Sequence, residues 1–124
     1  MPGKAAKEWL DKAEEDEQVV AAIRVAGGPW SAAAYHLQQA AEKYIKAALV
    51  ENGVGPPRTH DLTDLLGRFP GAAPPAAVDR AANGLSMYAW LTRYPGAPPS
   101  TQSDVDAADN DLAQIRAWAL GAIP

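Results

Sequence analysis

The sequence predicts an all-α protein: an antiparallel up-and-down helical bundle of four long helices plus one short helix. Three observations carry this. Eleven prolines, at 2, 29, 56, 57, 70, 74, 75, 95, 98, 99 and 124, cut the 124-residue chain into proline-free windows at 3–28, 30–55, 58–69, 76–94 and 100–123. A proline inside a helix costs about 3 kcal/mol, so helices belong between them. Every window repeats its apolar residues at a spacing of three and four, and no strand-like alternation competes. Short Pro/Gly connections then place consecutive helices side by side and antiparallel. The length fits a single domain over residues 1–124.

In the first window Trp9, Ala13, Val20 and Ile23 form the apolar seam, and Gly27-Gly28-Pro29 is a stop signal. Asp16 falls on that seam, where a carboxylate has to be hydrogen-bonded or protonated; a Tyr hydroxyl or a Gln is the expected partner. The second helix opens with Ser31 as N-cap, buries Leu37, Ala40, Ala41, Tyr44, Ala48 and Leu49, and closes at Gly53. Thr59 is expected to cap a short third helix with Leu62, Leu65, Leu66 and Phe69 inward. The fourth repeats Val78, Ala81, Leu85, Tyr88 and Leu91 or Thr92, with Gly84 inside it, and stops at Arg93-Tyr94-Pro95. In the fifth, Ser103 and Asp106 form an [ST]-x-x-[DE] start before the seam Val105, Ala108, Leu112, Ile115 and Ala119.

Of 59 hydrophobic residues 27 are Ala, which leaves 32 larger apolar side chains. The helices must approach closely, with Trp9, Trp30, Trp90, Trp118, Tyr44 and Tyr88 expected to supply bulk. The absence of cysteine removes disulfides, thiolate metal sites and thiol nucleophiles, which suits a reducing cytoplasm. No signal peptide or membrane span is visible. A net charge of −4 argues against non-specific binding to a nucleic-acid backbone while leaving room for a local basic patch. No Glu lies three residues before either histidine, so the Glu-x-x-His pairs of di-metal bundles are missing. Neither a metal nor a cofactor is expected.

The chemistry therefore rests on the flank of the second helix. His36 and Lys43, two turns apart, share one edge of its buried stripe. Gln39, Glu42 and Lys46 lie farther round, with Glu42 and Lys46 spaced to pair along the surface. A solvated helix face explains these charges without function, and His36 reads first as a structural imidazole. Arg93 beside Tyr94 suits the negative pole of a helix end, yet also presents a fork for phosphate next to an aromatic face for a base. Arg58-Thr59-His60-Asp61 is either a capped helix start or an anion site made of Arg58, His60 and exposed helix amides.

Taken in order, Trp9-Leu10 with Ala13 and Asp16, Tyr35-His-Leu-Gln-Gln-Ala-Ala-Glu-Lys-Tyr-Ile-Lys-Ala, Thr59-His60-Asp61-Leu62 and Arg93-Tyr94-Pro95 resemble a HEPN domain (higher eukaryote and prokaryote nucleotide-binding) from about Lys4 to Ala119. The resemblance implies a helical bundle, often a homodimer, found in prokaryotes beside a minimal nucleotidyltransferase as a toxin–antitoxin module. Many such proteins are metal-independent ribonucleases using R-x4-6-H, with His as base and Arg on the phosphate. This chain departs from that spacing: eleven residues separate Arg24 from His36, one separates Arg58 from His60, and no His follows Arg68, Arg80, Arg93 or Arg116.

The leading expectation is a non-catalytic module that binds a nucleotide or RNA and works with a nucleotidyltransferase. Its pocket would use Gln39, Lys43, His60, Arg93 and Tyr94, with Asp16, His36, Glu42, Lys46 and Arg58 as secondary candidates. The alternative is a ribonuclease with a rearranged site, His36 or His60 as base and Arg58 or Arg93 as electrophile. A third is a purely structural dimerisation module with a Trp seam.

Overall fold

The computed structural model describes residues 2–91 and 94–124, with side chains for all of these but Trp90 and Leu91. It is all-helical, with no strand among the described residues. The helices are α1 (Lys4–Ala26), α2 (Trp30–Glu51), α3 (Leu62–Gly67), α4 (Ala76–Leu91) and α5 (Gln102–Gly121). The long helices alternate in direction. Gly3 N–H donates to the Glu51 carboxylate at 2.9 Å, which ties the start of α1 to the end of α2. Ser100 N–H donates to Ser31 Oγ at 3.0 Å, and the Asn52 amide donates to the Ala122 carbonyl at 3.0 Å, so α5 runs parallel to α2.

Proline and glycine punctuate the chain as the sequence predicts, but three caps sit elsewhere. α1 ends on Gly27 at φ 80°, where Gly28 N–H bonds to the Ile23 carbonyl and Gly27 N–H to that of Arg24, closing the helix end as a side chain at that φ could not do without strain. α2 starts one residue early, on Trp30 after Pro29, so Ser31 is no N-cap; its hydroxyl holds the α4–α5 connection instead. Asp61, not Thr59, caps α3, accepting from Thr63 and Asp64 N–H, while Thr59 Oγ1 accepts from Asp61 N–H. The fifth helix opens at Thr101 with Asp104 in a reciprocal capping box, two residues before the expected Ser103–Asp106 pair.

The core follows the apolar seams. Thirteen of the 22 residues of α2 are buried against four of the 23 in α1, which makes α2 the central rod; it packs on α1, α3, α4 and α5. The predicted inward residues of α3, α4 and α5 are buried from Leu62 through Ala119, with Phe69 half-buried and Leu91 and Thr92 outside the described side chains. Aromatic bulk enters the core unevenly, with Trp30 and Trp118 packed against it from the side. Tyr44 and Tyr88 are buried, whereas Trp9, Trp30 and Trp118 are only half-buried, and Trp90 lies outside the described side chains. Ala residues share the core with fully buried Leu37, Ile45, Leu49, Leu85, Leu112 and Ile115, so close approach and aliphatic side chains fill it. Gly84 makes the same point between α4 and α5: a Cβ there would lie 2.5 Å from Asp111 Oδ2.

α1 packs closely on α2 alone among the helices. Towards α5 it reaches with ion pairs: Arg24 to Asp106 at 2.8 Å and to Asp109 at 3.5 Å, and Glu17 to Arg116. No described helix is long and apolar enough to cross a membrane.

Candidate functional site

The polar flank of α2 is not a solvated face. Packing against α1 buries much of it, and its charges are compensated in place. Asp16 is 7% exposed and lies between Lys43 Nζ at 2.5 Å and His36 Nδ1 at 2.8 Å. Its partners are therefore the two residues that share one edge of α2, and not a Tyr hydroxyl or a Gln. The Tyr44 hydroxyl donates to Glu17 instead, and Glu17 also takes Arg116. Burial first, then the bond to Glu17, pushes the Tyr44 phenol well above its ordinary range.

Glu42 and Lys46 pair as their spacing predicts, at 3.0 Å, but they do so in the interior, with Glu42 at 3% and Lys46 at 5% exposure. The correction has a physical cause: α1 and the α2–α3 connection cover this stretch of α2. Lys46 Nζ lies 5.3 Å from the centroid of the Trp9 ring, a cation over an aromatic face. The second Glu42 oxygen meets His60 Nδ1 at 2.9 Å, and the Gln38 amide donates to the His60 carbonyl at 3.4 Å. Two buried carboxylates, Asp16 and Glu42, thus each hold one lysine and one histidine. In a neutral imidazole whose Nδ1–H is donated, Nε2 is left as an acceptor.

Of the five leading site residues, the structure brings Lys43 and His60 to either side of Trp9. One depression of about 560 Å³ is lined by Glu8, Trp9, Lys12 and Lys43. A second, of about 500 Å³, is lined by Trp9, Lys46, Pro56, Pro57, Arg58 and His60. Gln39 and Tyr94 line neither. The Gln39 amide donates to Gln38 at 2.8 Å. Tyr94 is exposed in the α4–α5 connection, whose Ser100 docks near the start of α2, roughly 18 Å along the helix from the level of Lys43. Arg93 lies outside the described residues. The secondary candidates Arg58 and Lys46 join His60, and Asp16 and His36 join Lys43. Of the proposed anion site at 58–61, the side chains remain together, but the Thr63 and Asp64 amides are already taken by Asp61.

Sequence reasoning misses two contributors. Trp9 belongs to the core by its seam position, yet it forms the wall shared by both depressions. Gln38, fully buried, fixes the His60 backbone. A signal for Trp9 exists: residues equidistant from the Gly27-Gly28 turn face each other across an antiparallel helix pair, and Lys46 is the one opposite Trp9. Among the described residues, no three His, Cys, Asp or Glu gather as a metal site.

Comparison with known proteins completes the picture. The model of the HEPN domain family matches residues 6–122. The fold is similar to that of ST0689, described as an archaeal HEPN homologue, with 29% identity over 96% of this chain and 98% of that one and a TM-score of 0.81. It is also similar to TT1696 from Thermus thermophilus, with 26% identity, 93% and 98% coverage and a TM-score of 0.74. No curated protein matches.

Proposed function

The chain belongs to the HEPN domain family, and from that premise we propose that it is a non-catalytic, homodimeric binding module for a nucleotide or RNA, working in the cytoplasm with a minimal nucleotidyltransferase as one half of a toxin–antitoxin-like pair. One observation carries the binding half of this reading. Arg58, the only cation lining the 500 Å³ depression that has no carboxylate partner among the described residues, stands with His60 beside the half-buried indole of Trp9. A cation next to an aromatic wall is what phosphate and base together require. The other cations here are spoken for, Lys12 by Glu15, Lys43 by Asp16 and Lys46 by Glu42.

Calorimetric titration with the common nucleotides and a short single-stranded RNA tests it. Heat that disappears in an Arg58→Ala variant is the expected result; no heat with any of them at millimolar concentration defeats the proposal. The partnership is tested separately, by co-purification with a co-expressed nucleotidyltransferase. Unaltered partner affinity after substitution of Lys43 or Arg93 would instead favour a purely structural assembly module.

A second reading, a metal-independent ribonuclease, is favoured by the same depression. Glu42 holds His60 Nδ1, so the imidazole is oriented as a base would be, and Arg58 is two residues away for phosphate charge. His36, held by Asp16, lines neither depression and is the less well placed of the two. This reading predicts RNA cleavage in the presence of a chelator, lost in His60→Ala and kept in His36→Ala. Equal background cleavage by all three proteins would remove it.

A further inference from the structure

We infer that the Arg58–His60 depression selects a terminal phosphate, a phosphomonoester dianion on a nucleotide, and takes up a proton on His60 as it binds. The inference rests on the binding reading above and adds the charge state of the ligand and the residue that senses it. At about 500 Å³ the depression lies within the roughly 300–1,000 Å³ range of pockets that take a small molecule. Pro56 and Pro57 stiffen its wall, so little ordering is left to binding.

The local charges decide the preference. Lys46 and Glu42 neutralise each other below the surface, and Arg58 supplies one free positive charge. With His60 neutral, Nδ1–H donates to Glu42 and the Nε2 lone pair would repel an anion held by Arg58. Protonation turns Nε2 into a donor while Nδ1–H keeps its bond to the Glu42 carboxylate, 3% exposed and 2.9 Å away. The depression then carries two positive charges for the two negative charges of a terminal phosphate. An internal phosphodiester has a single charge, which Arg58 satisfies alone. The charged groups facing His60 are Glu42 and Lys46 from α2 and, from its own segment, Arg58 and Asp61, the last engaged with the α3 amides; α1 contributes the uncharged Trp9.

Calorimetry on the full chain near pH 7.5, in two buffers of different ionisation heat, compares nucleoside 5′-monophosphates with their 5′-methyl phosphate esters. The expected result is roughly tenfold or tighter binding of the monophosphate, with uptake of ~1 proton. In His60→Ala, whose side chain is mostly exposed and so spares the fold, both ligands should bind alike and without proton uptake. Short RNAs with and without a 5′-phosphate show whether the terminal phosphate is that of a free nucleotide or of a strand end, and a preference for the phosphate in either arm supports the inference. If wild type binds monophosphate and methyl ester equally, or binds without taking up a proton, the inference is overturned while the binding reading stands. If no ligand of either class binds, both fall.

Discussion

Glu42 and Lys46 are 3% and 5% exposed and hold each other at 3.0 Å, so removing either charge strands the other in the interior. Glu42→Ala should cost about 3–5 kcal/mol in urea unfolding with an unchanged slope, whereas Glu42→Leu combined with Lys46→Met should return to within about 1 kcal/mol of wild type. A double variant as unstable as the single one would show that the pair contributes more than mutual compensation. Asp111 behaves oppositely. Burial beside Gly84 raises its carboxyl above the ordinary value, so the folded state favours the neutral acid. The stability this contributes is fully present below the unfolded value and is lost as pH rises through the folded one. Asp111→Asn, permanently neutral, should match wild type near about pH 3.5 and show a higher Tm near about pH 7. Spacing on α2 is sufficient to join His36 to Lys43 and Glu42 to Lys46. It could not show that Glu42 and Lys46 are buried, or that His60 completes the Glu42 cluster, because burial there comes from α1 and the α2–α3 connection folding over it.

The helices are legible because proline and glycine act locally, whereas their first residues are not, because capping signals overlap. Thr101-x-x-Asp104 and Ser103-x-x-Asp106 satisfy the same rule two residues apart, and only the first is used. The choice belongs to packing: starting at Gln102 lets the chain arrive with Ser100 on Ser31, which anchors the connection to α2. Thr101→Ala should therefore lose about 1 kcal/mol and Ser103→Ala close to nothing, as read by thermal unfolding. Equal losses at both would mean that the helix end samples two starts. The same logic governs α3, where Asp61 takes over from Thr59 because its carboxylate reaches two amides at once.

Over the whole molecule, α2 is held from four directions and α1 essentially from one. Among the described residues, the links from α1 to α5 are half-exposed ion pairs, which are screened by salt. Hydrogen exchange should show α1 opening at lower free energy than α2, with the gap widening at high ionic strength and in Arg24→Ala. Uniform protection across both helices would contradict this. The sites are harder to read than the fold for a related reason: they lie where α1 crosses α2 and the 56–60 segment returns, a juxtaposition that no single window contains. The two tethers at the foot of α2 have one more consequence. Glu51 grips the backbone at Gly3, and its neighbour Asn52 grips the carbonyl of Ala122, so the residue before α1 and the residue after α5 meet at one end of the bundle. A short linker bridging residues 3 and 122, with the chain reopened at exposed Gly96, should yield a circular permutant of this bundle with an unchanged helical CD spectrum.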